Sequence, residues 1–188
     1  MTLTVANKKI GFEGKIIRVE VMEMSDGRVF EKAIRSPGTR IIIYDEKEDK
    51  VLLSKEYRTE ISDYDYRLPG GKVRDEIVEW DKIKDDPGVD DFIAQAAIKE
   101  VREEAGIKVN QIKLFKVVTS GGPTIDWTLY YFVTNDFELL DTQELEPGED
   151  IQTEWVERSK IFEICLSGQI KESRSVATLL QYFYSIKK

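Results

Sequence analysis

Residues 93–107, Ile-Ala-Gln-Ala-Ala-Ile-Lys-Glu-Val-Arg-Glu-Glu-Ala-Gly-Ile, restrict the fold more than any other stretch. Three glutamates, Glu100, Glu103 and Glu104, stand at i, i+3 and i+4 of a segment that reads as helix and stops at Gly106. That spacing gathers three carboxylates on one side of a helix. At about 100° per residue, Ile93, Ala94, Ala97, Ile98, Val101 and Ala105 form one apolar arc. Glu104 falls inside the edge of that arc and Glu100 just beyond it, while Gln95, Lys99 and Arg102 take the opposite side. A solvated charged helix would centre its acids on the polar side. Carboxylates pressed against a core need partners, and a hard divalent cation with oxygen ligands is the natural one.

Composition narrows the chemistry further. The 188 residues suffice for one good core and carry a net charge of −8, which argues against a general nucleic-acid binder. There is no histidine and a single cysteine, Cys165. Histidine general-base chemistry, His-ligated zinc, thiolate zinc and an internal disulfide are all excluded. A lone cysteine suits a reducing compartment, and in its apolar stretch Cys165 reads as a small buried hydrophobe. The start of the chain lacks the apolar segment of a signal peptide, and no apolar run spans a bilayer. The expectation is a cytoplasmic protein with no membrane and no nucleic-acid partner.

Along the chain, residues 15–24 and 29–34 alternate around Ser25-Asp26-Gly27-Arg28 and read as a hairpin. Strands are expected at 40–44 and 51–57, then a sharp loop at Leu68-Pro69-Gly70-Gly71. The polar stretch 76–89 reads as an excursion before the helix, which is expected from Asp90 or Asp91 to Ala105. Asp90 is the candidate N-cap and Gly106 the terminating glycine. Strands follow at 112–119, 127–133 and near 152–156, with helices near 158–167 and 173–186 closing the chain. Helices between and after strands imply a mixed α/β fold with a helix packed on a sheet.

Leu68-Pro69-Gly70-Gly71 followed by Ala96-Ala97-x-Lys99-Glu100-x-x-Glu103-Glu104-x-Gly106-Ile107 resembles the Nudix box, G-x5-E-x7-R-E-U-x-E-E-x-G-U with U apolar. Gly71, Glu100, Glu103, Glu104, Gly106 and Ile107 fit it. Asp91 stands where the family has Glu, and Lys99 where it has Arg, which loses a planar bidentate fork. The stretch from Gly71 to Asp91 holds nineteen residues where the pattern has five; a lid or a dimer contact are the open readings. Glu56-Tyr57-Arg58 is similar to the Gln-Tyr-Arg strand end of the ADP-ribose pyrophosphatase branch. Pro123, sixteen residues past Ile107, the Glu149-Asp150-Ile151 strand start and Gly168-x-Ile170 before a final helix match that branch as well. Arg67 departs from it, since relatives often carry Glu there.

The resemblance implies an α/β/α Nudix sandwich with a mixed sheet over residues 38–188. It also implies an N-terminal antiparallel β-sheet over 1–37 that serves dimerisation. It implies hydrolysis of the pyrophosphate bond of a nucleoside diphosphate linked compound, ADP-ribose or a nucleotide sugar, with Mg²⁺ or Mn²⁺. Glu100, Glu104, Glu103 and the Gly70 carbonyl would hold metal, Glu103 also orienting water. A glutamate of the acidic loop 141–150 would be the base: Glu149 first, with Glu146 and Glu144 as competitors. Arg58, Arg67 and Arg35 are the candidate phosphate contacts. Phe12, Tyr64, Tyr66 and Trp127 are available to stack a base, though such rings are more often core. The altered Asp91 and Lys99 leave open a catalytically weak nucleotide-binding protein on the same fold.

Overall fold

The computed structural model describes residues 2–59 and 61–186. Its centre is a mixed sheet made by β4 (Gly38–Asp45), β5 (Lys50–Arg58), β9 (Leu129–Leu139), β7 (Ile107–Val118) and β10 (Ile151–Glu157). The order is β10-β5-β4-β9-β7, and β6 (Asp63–Arg67) pairs with β5. Only the β4–β9 pair in this sheet is parallel.

Strand alternation sorts the core onto two faces. On β4, Ile41 and Ile43 point to one cluster and Ile42 and Tyr44 to the other; on β5, Leu52 joins the first and Val51 and Leu53 the second. The first cluster takes Ile93, Ala97, Val101 and Ala105 of α2 (Val89–Ala105). The second takes Ile161 and Cys165 of α3 (Arg158–Leu166) and Leu179 and Phe183 of α4 (Ser173–Ser185). The result is the expected α/β/α sandwich, because apolar runs such as residues 41–44 can be buried on both sides only between two helical layers. Burial pushes the Cys165 thiol up to about 11, as suits a packing residue. No helix of the described residues is long and apolar enough to cross a membrane.

A second sheet of order β1-β2-β3-β8 is built from β1 (Val5–Glu13), β2 (Ile17–Met24), β3 (Val29–Arg35) and the two-residue β8 (Ile125–Asp126). The β2–β3 hairpin turns at Ser25–Arg28 as its Asp-Gly pair dictates. Strand β1 has no clean alternation and was not evident from sequence; every residue of it is exposed.

Two sequence expectations are corrected in the segment before α2. The polar stretch 76–89 is not a plain excursion: it contains α1 (Ile77–Ile83), with Ile77 fully buried and Trp80 and Ile83 packed beside the α2 cluster. Ile77, Trp80 and Ile83, with the exposed Val78 beside them, span too short a stretch to stand out as a period in sequence. Helix α2 begins at Val89, one or two residues earlier than expected, with Gly88 in place of Asp90 at the cap and no side-chain capping bond. Asp90 and Asp91 lie inside the first turn, where negative charge complements the helix dipole. Gly106 ends the helix in the left-handed conformation at φ 62°.

Candidate active site

Strand β4 and helix α2 hold the Gly70-Gly71 loop between them. The Thr39 N–H donates to the Gly71 carbonyl at 2.8 Å and the Ile41 N–H to the Pro69 carbonyl at 2.9 Å, so the loop runs along β4 as a strand would. Gly70 sits at φ 135°, and a Cβ there would lie 2.4 Å from the Thr39 carbonyl oxygen. Only glycine fits. From α2, the Glu104 carboxylate accepts the Gly70 N–H at 2.9 Å. From β4, Arg40 Nη1 donates to the Gly70 and Thr39 carbonyls, each at 2.7 Å. Arg40 is buried, and its charge is held there by those carbonyls and by Glu172, 3.8 Å away.

Glu100 lies where a side chain of residue 71 would be: a Cβ on Gly71 would come within 2.4 Å of its carboxylate. Among the described residues, Glu100 makes no side-chain hydrogen bond or ion pair. Burial pushes its pKa up to about 7, opposed by the charge of Lys99 and helped by those of Glu103, Glu149 and Asp75. Burial pushes Glu104 up to about 8, against the opposing Gly70 N–H bond. Two neighbouring carboxylates that are costly to ionise are short of positive charge.

Glu103, by contrast, is engaged. Lys99 Nζ lies 2.6 Å from its carboxylate, one helical turn away. Lys99 therefore pairs within the box, while Asp91 is exposed in the first turn.

The acidic loop docks on the end of α2. The Glu144 N–H donates to the Glu103 carbonyl at 2.9 Å, the Leu140 N–H to the Gly106 carbonyl at 2.8 Å, and Gln143 Nε2 to the Glu104 carbonyl. Arg102 draws the Glu144 side chain away at 2.9 Å. The Glu149 carboxylate accepts the Glu146 N–H at 2.8 Å, a tight turn that keeps both residues at the site.

Facing the carboxylates is a wall of guanidinium groups. Glu56 holds two of them: Arg58 Nη1 at 2.7 Å and Arg67 Nη1 at 3.1 Å. Arg67 also faces the buried Asp65 at 3.6 Å. The two departures from the family pattern, Glu56 for Gln and Arg67 where relatives carry Glu, thus meet as an ion pair. Further along, Arg35 and Arg174 stack on Trp127, their Cζ atoms 4.4 and 4.2 Å from its ring centroid. Trp127 is therefore occupied by two cations and is not a free platform for a base.

All eight residues singled out from sequence, Arg35, Arg58, Arg67, Gly70, Glu100, Glu103, Glu104 and Glu149, line one cavity of about 380 Å³. Glu146 lines it as well; Glu144, Tyr64 and Tyr66 do not. Sequence reasoning missed Arg40, Lys72 and Asp75, which also line it. Arg40 had a usable signal, a charged residue at the head of the apolar run Ile41-Ile42-Ile43. Lys72 and Asp75 lie in the long insertion, where no pattern flags them.

Among the described residues, no group of three acidic, histidine or cysteine side chains stands ready to hold a metal ion. The donor set nevertheless fits a hard cation. Glu100 is without a donor, Glu104 is buried and short of positive charge, and every candidate ligand is an oxygen.

Comparison with known proteins follows the same line. The sequence model of the NUDIX domain matches residues 34–174. No curated protein matches the chain. A solved structure, that of an ADP compounds hydrolase, superposes with a TM-score of 0.74 at 20% sequence identity, covering 100% of this chain and 95% of that one. At that identity the likeness speaks for the fold.

Proposed function

The chain belongs to the Nudix family, and on that premise we propose that it is a divalent-metal-dependent pyrophosphohydrolase. Its substrate is a nucleoside diphosphate linked compound, ADP-ribose or a nucleotide sugar, cleaved to a nucleoside monophosphate and a sugar phosphate. The observation that carries this reading is the cavity with two unlike walls: Glu100, Glu103 and Glu104 from α2 on one side, Arg35, Arg58 and Arg67 on the other. A phosphate chain needs both, a cation site at the scissile bond and guanidinium groups for the remaining oxygens.

Glu100 and Glu104, with Glu103 and the Gly70 carbonyl, are the residues that would hold Mg²⁺ or Mn²⁺. The ion, when bound, neutralises phosphoryl charge and makes a water more acidic. Glu149, at the cavity edge, takes the proton from the attacking water. Arg58 and Arg67 orient the pyrophosphate, and their shared partner Glu56 keeps both in place. The protein acts in the cytoplasm as a homodimer joined through its N-terminal sheet.

The test is hydrolysis of ADP-ribose and of UDP- and GDP-sugars with Mg²⁺ and Mn²⁺, read by product identity. Release of AMP is expected, with Glu104→Gln folded and slower by on the order of 10²–10³-fold. Full activity in Glu104→Gln overturns the assignment. A second reading has one observation in its favour, the Lys99–Glu103 pair at 2.6 Å, which engages a box carboxylate. On that reading the chain binds the nucleotide with little turnover. Tight ADP-ribose binding with no monophosphate released under Mn²⁺ is its signature.

A further inference from the structure

Arg35 is the single arginine among the described residues with neither a hydrogen bond nor an ion pair. Arg58 and Arg67 are balanced by Glu56 and Asp65. Arg174 is bound to Glu172 at 2.9 Å, and Arg40 faces the other oxygen of that same carboxylate at 3.8 Å. Arg40 and Arg174 thus share one carboxylate, Glu172, whose charge also acts on Arg35 from beyond ion-pair distance. The surplus positive charge of the cavity lies at the Arg35 end, and the Arg58 end is neutral.

Arg35 is also held rigidly. Its guanidinium stacks on Trp127, which is itself fixed by Arg174: Arg174 Nη1 donates to the Trp127 carbonyl at 2.9 Å. Stacking immobilises a guanidinium and leaves its edge donors in plane, ready for a bidentate oxyanion. Burial and the charge of Arg174 lower the Arg35 pKa, so the site is costly as it stands and improves when an anion arrives.

The position matters as well. A Cβ on Gly38 would lie 3.2 Å from the Gly71 carbonyl oxygen and 3.6 Å from Trp127 Nε1. The Trp127–Arg35 stack therefore adjoins the Gly71 end of the carboxylate wall and extends the cavity beyond it.

Resting on the pyrophosphohydrolase reading, we propose that Arg35, fixed on Trp127, binds a further phosphate group of the substrate. The preferred substrates are then nucleoside diphosphate compounds that carry an additional phosphate monoester. Such a group brings a charge of about −1.5 to −2 at neutral pH, matching the surplus at this end of the cavity. A charge-assisted contact of this kind is worth roughly ten- to hundredfold in kcat/KM.

The experiment compares kcat/KM for ADP-ribose, ADP-ribose 2′-phosphate and ADP-ribose 1″-phosphate in the wild type, Arg35→Gln and Trp127→Leu. The two phosphorylated probes place the extra group on the nucleoside and the sugar side respectively. At least one is expected to exceed ADP-ribose by about tenfold or more in the wild type, with the ratio falling toward one in both variants. Equal rates for all three in the wild type overturn the proposal. So does an Arg35→Gln variant that slows every substrate by the same factor, since Arg35 would then hold the pyrophosphate itself. Arg35→Lys, which keeps the charge and loses the planar stack, decides the matter where Arg35→Gln does not fold; a wild-type preference ratio retained in it overturns the role of the stack.

A second readout does not depend on turnover. Calorimetry compares adenosine 2′,5′-bisphosphate with AMP, and ribose 1,5-bisphosphate with ribose 5-phosphate. Tighter binding of one bisphosphate, lost in Arg35→Gln, sustains the anchor even where no probe is hydrolysed, in which case only the enzyme reading falls. No preference for either bisphosphate overturns the anchor itself.

Discussion

At Gly71 the missing side chain is a requirement of another residue, because the space is filled by the Glu100 carboxylate. Gly71→Ala introduces no positive-φ strain, yet its methyl would lie 2.4 Å from that carboxylate. The expected outcome is a folded protein with a displaced Glu100 and activity lower by on the order of tenfold to a hundredfold, read by kinetics beside a melting curve. Gly70→Ala is the contrasting case: with φ 135° and the Thr39 carbonyl 2.4 Å away, the clash is with backbone. It is expected to destabilise the fold by about 1–3 kcal/mol, visible as a lower denaturation midpoint. Of this residue-scale detail, the sequence displayed the glutamates and the glycines, because helical spacing and a turn are local properties. It did not display Arg40, whose role depends on β4 and the Gly70 loop lying side by side. Nor did it display the pairing of Glu56 with Arg67, eleven residues apart on antiparallel strands.

Helix α2 is a rigid rod that carries the box glutamates on the edge of its buried face, and this gives it a pH signature. Glu100 and Glu104 are raised from 4.5 to about 7 and about 8 in the folded protein. Between those limits the folded state holds more protons than the unfolded one, so stability falls as pH rises through that window. In chelator, the melting temperature is therefore expected to drop from pH 5 to pH 8 more steeply than in a Glu100→Gln, Glu104→Gln double variant. Adding Mn²⁺ at pH 8 is expected to raise it again, because an ion that binds only the native state stabilises it. A wild-type curve parallel to that of the double variant would contradict this. The preceding element has a different task. The Ile77 N–H of α1 donates to the Lys15 carbonyl at 2.9 Å, and Arg18 of β2 lies 2.6 Å from Asp81. At the head of the insertion, the Val73 N–H donates to the Pro37 carbonyl at 2.9 Å. The insertion thus ties the N-terminal sheet to the sandwich. Ile77→Ala should cost about 2–4 kcal/mol by cavity formation, measured by urea unfolding. The strands and helices that alternate cleanly were legible in sequence. Helix α1 and strand β1 were not, because what stabilises them is docking onto distant partners and not an internal period.

At the scale of the whole molecule, the α/β/α sandwich is closed on both faces and the N-terminal sheet is not. Strand β1 lies at the edge of its sheet with all nine residues exposed, and the sheet leaves Val5, Ile10, Phe12, Val29 and Ile125 each at least 50% accessible. Long apolar edges invite pairing with another chain, and stable proteins cover or charge them. Here Lys8 and Lys9 supply some charge, while the apolar residues remain open. A second copy of the same edge would bury them, and a two-fold axis would make the contact self-complementary. A stable dimer buries about 1,200–2,000 Å² in total, and a four-stranded sheet is large enough to contribute its half. Light scattering on a sizing column is expected to give a dimer at micromolar concentration. The double substitution Ile10→Asp, Phe12→Asp is expected to give a monomer with unchanged far-ultraviolet circular dichroism. A wild-type monomer would refute the dimer outright, and a dimer that survives the double substitution would move the interface elsewhere. The consequence reaches the candidate site, since Ile16, in the loop between β1 and β2, lines the same cavity. Ordering this sheet against a partner should steady that wall, so the monomeric variant is expected to show a raised KM with kcat less affected.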